Sequence, residues 1–305
     1  MHAIRFHEYG PPDVLRYEEA PEPAPGPGEV LVRVVAAGVN PIDWKVRAGY
    51  LQAYMPVELP HILGYDLAGT VAAVGAGVAG VAPGDEVFGR GSATYAEYAV
   101  APETTLVAKP AGLSFEQAAT FAVGGVTAWI GLFDAADLRS GQRLLVHGGA
   151  GGVGSFVVQL ARWKGAHVIA TASAANVDAV RALGADEVVD YRAVAFEEAV
   201  RDVDVVYDTV GGEVTDRSWG VLRPGGTLVV IAGGADAETA QARGVRAVSP
   251  QAPADTRPIL GRLAELAVSG DLIPSVGATF PLAEAARAHA LSETGHGRGR
   301  IVLTV

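Results

Sequence analysis

The sequence contains no cysteine. That absence removes disulfide staples, thiolate zinc sites, iron–sulfur clusters and a cysteine nucleophile together. Long hydrophobic runs are missing too: apolar stretches reach only about six to eight residues, far short of the roughly 20 that a bilayer-spanning helix needs. No repeat with a period of about 20–50 residues is visible. The N-terminal stretch MHAIRFHEYGPPDVLRYEE lacks a cationic start followed by an apolar segment. No secretory address is therefore expected, and a cytoplasmic location is. Positive charge is scarce, with 23 Lys and Arg against 34 Asp and Glu and a net charge of −11. The imbalance disfavours a nucleic-acid backbone or an anionic membrane as partner.

What remains is an ordinary globular composition. Half the residues are hydrophobic and 19% are charged, enough to bury a sizeable core. The length of 305 residues suggests about two domains. Glycine (39) and proline (18) are frequent but follow no period, so neither a fibrous nor a disordered chain is indicated. Chemistry must come from oxygen and nitrogen groups or from a borrowed cofactor.

The first 116 residues carry short β-branched runs at Val30–Val35, Thr70–Val74 and Glu97–Val100, separated by turn residues such as Pro83-Gly84-Asp85-Glu86. Such spacing predicts a β-rich unit. Pro21–Gly28 (PEPAPGPG) reads as an extended surface connection. From there the pattern alternates. Strands are predicted at Arg143–His147, His167–Thr171, Glu187–Val189, Val203–Tyr207 and Thr227–Ile231, with helices at Val153–Trp163 and Val177–Leu183 among them. Alternation of this kind predicts a doubly wound parallel sheet covered on both faces. The closing strand Ile301–Val305 is expected to return to the first unit. The predicted division is thus a β-rich substrate domain of residues 1–116 and 271–305, into which a dinucleotide-binding α/β domain of residues 117–270 is inserted.

Gly149-Ala150-Gly151-Gly152-Val153-Gly154 fits G-x-G-x-x-G after a predicted strand and before a predicted helix. In that context the first Gly permits a tight turn and the second lets backbone approach a pyrophosphate. The third lets helix and strand pack closely. The helix N-terminus adds unpaired N–H groups and a partial positive charge. A dinucleotide is expected. An NAD-selective site places an acid about 20 residues on, but here the chain reads Thr171-Ala172-Ser173-Ala174-Ala175-Asn176. The missing carboxylate removes repulsion against a 2′-phosphate, and Ser173 and Asn176 offer it hydrogen bonds. The balance favours NADPH, with NADH possible because no Arg or Lys stands there.

With this turn in place, residues 141–162 resemble the signature of the quinone oxidoreductase (zeta-crystallin-like) branch of the medium-chain dehydrogenase/reductases. The matching positions are Gly141, Gln142, Leu145, the glycine turn, Gln159 and Arg162. Further similarity lies in Asn40-Pro41-Ile42-Asp43-Trp44-Lys45 with Gly49, in Gly64–Val71 (GYDLAGTV), in Val206–Gly212 (VYDTVGG) and in the closing His296–Leu303 (HGRGRIVL). The resemblance implies a Rossmann-type sheet inserted into a discontinuous GroES-like β domain, with the active site in the cleft between them. It also implies a homodimeric NADPH-dependent reductase of quinones or α,β-unsaturated carbonyls. Where zinc alcohol dehydrogenases carry Cys and His, this chain has Asn40 and Tyr65, so no metal is expected. The alkenal-reductase-like members often carry an Arg for the 2′-phosphate where Ala175 stands here. Tyr191 resembles a tyrosine that helps to hold that phosphate.

Three residues are the catalytic candidates. Asn40, an uncharged donor and acceptor, either orients the nicotinamide or substrate carbonyl or caps the turn before Pro41. Tyr65 either donates to developing negative charge, walls a planar acceptor, or is simply packed. Thr127 either meets the nicotinamide carboxamide or caps a helix. Tyr50 and Tyr54 are read as pocket lining or plain loop, Asp43 as structural, His147 as a satisfied strand residue, and Asp208 as a strand end or helix cap. Arg298 and Arg300 are read as a solvated basic tail, with one of them within reach of a phosphate. The alternatives to a quinone or enone reductase are an enoyl-thioester reductase on the same scaffold and a non-catalytic NADPH-binding protein.

Overall fold

The eleven residues Glu29–Val39 (EVLVRVVAAGV) form a strand with little polar character, buried along nearly its whole length. Such a strand needs neighbours on both edges. Asp66–Val74 pairs with one edge throughout. The other edge is shared: Tyr98–Pro102 pairs with Glu29–Arg33, and Arg300–Thr304 pairs with Ala36–Val39. Further out lie Glu86–Arg90 and Leu106–Ala108 on one side, and Val276–Pro281 on the other, in a 7-stranded sheet. A 3-stranded sheet of Arg16–Glu19, His2–Phe6 and His61–Ile62 completes this part. Phe6, Val32, Leu67, Tyr95 and Leu303 are among its buried core residues. The last strand therefore does return to the first domain, as its apolar run and position predict.

The computed structural model describes residues 1–305. The chain divides into one unit of Met1–Val123, Pro253–Gly270 and Pro274–Val305, and a second of Gly124–Ala252 with Asp271–Ile273. This differs from the division expected from the sequence in three places, one being Asp271–Ile273, which joins the second unit instead of the first. The first crossing falls at Val123, inside a continuous helical segment Phe115–Ala135, rather than at residue 116. The helix Arg257–Ser269 belongs to the first unit, where it packs against Leu106–Ala108 and the Thr256 N–H bonds the Thr104 carbonyl at 3.1 Å. An amphipathic stripe records that a helix covers something, not which sheet it covers.

Phe115–Ala135 is long and apolar enough, by length and composition, to cross a membrane, which the run lengths in the sequence do not reveal. Its interior is 67% buried, as expected of a core helix.

The second unit holds a 6-stranded sheet. All of its pairings are parallel. Across it run Glu187–Asp190, His167–Ala172, Arg143–His147, Val203–Asp208, Leu222–Val230 and Arg246–Val248. In chain order that is 3-2-1-4-5-6, the doubly wound dinucleotide-binding arrangement. The expected strands at Arg143, His167, Glu187 and Val203 all form. The fifth begins earlier than Thr227, at Leu222, with an irregular register against Val203–Val205.

Leu303 is fully buried in the first unit, on the returning strand. Leu303→Ala is expected to cost about 2–5 kcal/mol of stability, whereas Val305→Ala, at 39% exposure, should stay within about 0.5 kcal/mol. Urea unfolding of the two variants measures the difference.

Candidate active site

The glycine turn leaves the strand Arg143–His147 and enters the helix Gly154–Lys164. Its parts are distributed differently from the simplest expectation. The left-handed residue is Gly148, at φ +70, one position before the motif. Gly149 is required by packing: a Cβ there would lie 2.9 Å from the Ala170 side chain and 3.2 Å from Val180. At Gly154 a Cβ would fall 2.1 Å from the Gly148 carbonyl oxygen, so this glycine lets the helix start tightly against the turn. At Gly151 the only neighbour is that same oxygen at 3.2 Å. Gly151 therefore presents bare backbone to open space, beside the first-turn N–H groups of a helix. A pyrophosphate fits this turn, with Ala150, Gly152 and Val153 supplying the rest of its backbone.

The turn is braced from behind. The Gly149 N–H bonds the Thr171 carbonyl at 3.0 Å and the Gly148 N–H bonds the Thr171 hydroxyl at 3.2 Å. His147 is buried between the Thr171 hydroxyl (3.3 Å) and the Ser218 hydroxyl (3.0 Å). Burial holds its imidazole neutral, down to about 4, and it is a satisfied strand residue. Asp208 ends its strand and turns inward. Its carboxylate accepts from the Val210 and Gly211 N–H groups at 2.8 and 3.0 Å and from the Thr215 hydroxyl at 2.5 Å.

Ser173 precedes and Asn176 ends a short 3-10 turn, and they meet each other, Asn176 Nδ2 donating to Ser173 Oγ at 3.3 Å. The Tyr191 N–H bonds the Ala172 carbonyl at 3.2 Å. The structure thus brings Ser173, Asn176 and Tyr191 to the same end of the second strand of the sheet. Thr127 also belongs to the second unit. It lies inside the helical segment Phe115–Ala135 rather than at a helix start. It therefore caps nothing, and its carbonyl accepts the buried Tyr207 hydroxyl at 2.7 Å.

In the first unit, Asn40 and Tyr65 border a buried polar cluster that the sequence does not announce. Asn40 is 1% exposed. Its Nδ2 donates to Asp66 Oδ2 at 2.7 Å and its Oδ1 accepts from Arg300 Nη2 at 2.7 Å. Arg300 also bonds Asp66 Oδ2 at 3.0 Å, and Asp66 Oδ1 accepts the Val123 N–H at 2.7 Å. The carboxamide is thus engaged at both ends, and the Asn40 backbone N–H is bonded by the Asp43 carboxylate at 2.7 Å at the start of the helix Pro41–Arg47. Arg300 is buried, unlike the exposed Arg298, so only the latter fits a solvated tail.

Asp43 is fully buried and accepts the Tyr95 hydroxyl at 2.8 Å. Its Oδ1 has no partner. Removal from water pushes its carboxyl up to about 7, against the opposing pull of the Asn40 N–H and the Tyr95 hydroxyl. Tyr65 is half-buried, with the Arg90 guanidinium 5.5 Å from its ring centre. Burial, and then the charge of Asp43, raise its phenol, which stays protonated and able to donate. Tyr50 and Tyr54 are exposed. Nowhere do three or more His, Asp or Glu side chains gather closely enough to hold a metal ion.

The sequence pattern does not point to Asp66, Tyr95 or Gly148 as functional, and it places Arg300 only in a basic tail. Arg300 alone carries a signal, being the one charge that opens the apolar strand Ile301–Leu303.

A GroES-like β unit together with a 3-2-1-4-5-6 parallel unit defines a medium-chain dehydrogenase/reductase. Family models agree: "Alcohol dehydrogenase GroES-like domain" matches residues 26–111 and "Zinc-binding dehydrogenase" matches residues 183–303. An NADPH-dependent alkenal/one oxidoreductase of Arabidopsis thaliana is 35% identical over 99% of this chain and 79% of that protein. A 2-methylene-furan-3-one reductase of Solanum lycopersicum is 39% identical over 76% of the chain, which spans 62% of that relative. The Escherichia coli quinone oxidoreductase, solved with NADPH, superposes with a TM-score of 0.92 at 30% identity, covering both chains fully. The chain belongs to the zinc-independent quinone oxidoreductase branch of this family.

A neutral buried Asp43 has a signed consequence. Between 3.8 and about 7 the folded chain keeps a proton that the unfolded chain releases. Stability therefore falls as pH rises through that window and levels off above it. Asp43→Asn, which still accepts from Tyr95 and Asn40, should flatten this slope relative to the parent. Urea midpoints across pH 4 to 8 read the difference.

Proposed function

We propose that this chain is an NADPH-dependent reductase that delivers hydride to a quinone or to the β-carbon of an α,β-unsaturated carbonyl, without a metal ion. The observation that carries it is the glycine turn. It stands at the C-terminal end of the first strand of a dinucleotide-type sheet, and at Gly151 the only close neighbour is the Gly148 carbonyl oxygen at 3.2 Å. Use of NAD(P)H and a small-molecule acceptor accords with the relatives. The finer preference for NADPH rests on the end of the second strand, where no acid competes with a 2′-phosphate and Ser173, Asn176 and Tyr191 gather.

When bound, the reduced nicotinamide supplies the hydride. The chain's own residues then have three tasks: hold the cofactor, orient the acceptor and meet the charge that develops on its oxygen. Gly149 to Gly154 hold the pyrophosphate. Tyr65 is the candidate donor to the acceptor oxygen, because its phenol is raised and remains protonated. Asn40, fixed between Arg300 and Asp66, is assigned a positioning role at the corner that leads into Pro41–Arg47. Thr127 is assigned to the nicotinamide carboxamide. The proton that completes reduction comes from Tyr65 or solvent. The chemistry needs no Lewis acid, in keeping with a chain that has no cysteine and no three-residue cluster of His, Asp or Glu. The family resemblance extends the proposal to a homodimer.

The test is oxidation of NADPH and NADH, followed at the nicotinamide absorbance, against a benzoquinone, a naphthoquinone, a short enal and an enoyl thioester. Turnover of quinone or enal that a chelator leaves unchanged is expected. Turnover of the thioester alone would move the chain to the enoyl-reductase alternative, and tight binding with no turnover would remove the enzymatic reading. Gly151→Glu, which sets a carboxylate against the pyrophosphate, should abolish NADPH binding in a fluorescence titration.

A further inference from the structure

We propose that Arg192 is the cation that receives the 2′-phosphate and gives the site its preference for NADPH. The inference rests on the NADPH reading above and adds to it a residue that the sequence pattern does not indicate, since the basic residue is expected at position 175 and alanine stands there.

In a sheet of this order the adenosine ribose lies at the end of the second strand, here Ala172-Ser173. The third strand, Glu187–Asp190, runs parallel beside it, with Asp190 opposite Ala172. The residues that follow Asp190 are therefore neighbours of Ser173 in space although about twenty positions away in sequence. Two bonds fix them there. The Tyr191 N–H reaches the Ala172 carbonyl at 3.2 Å, and the Arg192 N–H reaches Asp190 Oδ1 at 3.1 Å.

The Arg192 guanidinium then folds back over the Tyr191 ring, 5.7 Å from its centre. Tyr191 is 46% exposed, so this pair stands at the surface, where a ligand reaches it. The guanidinium N–H groups, which match a phosphate in a fork, make no hydrogen bond within the chain and are unspent. Neighbouring arginines are committed elsewhere: Arg181 faces Asp178 at 3.6 Å and Arg217 grips Glu197 at 2.5 Å. Arg192 forms no ion pair, and the Asp190 carboxylate beside it is bonded to the Arg192 backbone N–H. The Ser173 hydroxyl and the Asn176 amide stand at the end of the second strand, beside which the third strand brings Tyr191 and Arg192.

The test uses the full chain and two half-cofactors that differ only in the phosphate at issue: 2′,5′-ADP and 5′-AMP, titrated by calorimetry. The wild type is expected to bind 2′,5′-ADP the more tightly. In Arg192→Gln that advantage should shrink by about tenfold or more, while Arg192→Lys, which keeps the charge but not the fork, should fall between. The ratio of kcat/KM for NADPH over NADH should move in parallel. A wild type that prefers 2′,5′-ADP, with a glutamine variant that keeps the full advantage, would place the phosphate on other groups and overturn the role of Arg192 alone. A wild type that does not distinguish the two would overturn the NADPH reading itself, and this inference with it.

Discussion

A guanidinium taken out of water must meet both a counter-charge and hydrogen-bond acceptors, and this requirement organises the first unit. Arg300 comes from the last strand, Asp66 from the long pairing strand and Asn40 from the corner before the helix Pro41–Arg47. Two segments 26 positions apart and a third more than 230 positions further on are joined by bonds of 2.7 to 3.0 Å. Such a buried pair adds little net stability over an apolar substitute of the same shape, but removing one member leaves the others unpaired. Its contribution is to specify a single arrangement. Here a carboxamide, a carboxylate and a guanidinium occupy the corner.

The same cluster explains the behaviour of its neighbours. Asp43 is taken out of water as completely as Asp66 but holds no direct ion pair, so burial outweighs the more distant pull of Arg300. Asp43 therefore keeps its proton near neutrality and binds Tyr95 and the Asn40 N–H instead. Tyr65 lies against this environment with its phenol protonated.

The second unit depends on a different constraint, the absence of side chains. Gly149 and Gly154 are small because Ala170, Val180 and the Gly148 carbonyl already fill the volume. Gly151 differs, since the Gly148 carbonyl oxygen at 3.2 Å is the only neighbour a side chain there would meet. One motif thus combines close packing inward with an open approach outward.

The parallel sheet, the positions of its first four strands and the dinucleotide turn were legible in the sequence, because apolar runs at strand length, helical spacing and glycine placement are local properties that each segment carries by itself; the early start of the fifth strand and the short sixth were not. The lack of zinc ligands was equally local, a matter of which residue types occur. Partnerships were not legible. The helix Arg257–Ser269 shows an apolar stripe but not the unit it joins. Arg300 looked like part of a basic tail, and its burial follows only when its strand pairs with Val39 and brings it to Asp66. Arg192 reaches the end of the second strand only through parallel pairing of the third. Local pattern determined which elements this chain forms. Tertiary structure decided which charges face each other, because that depends on contacts between residues far apart in sequence.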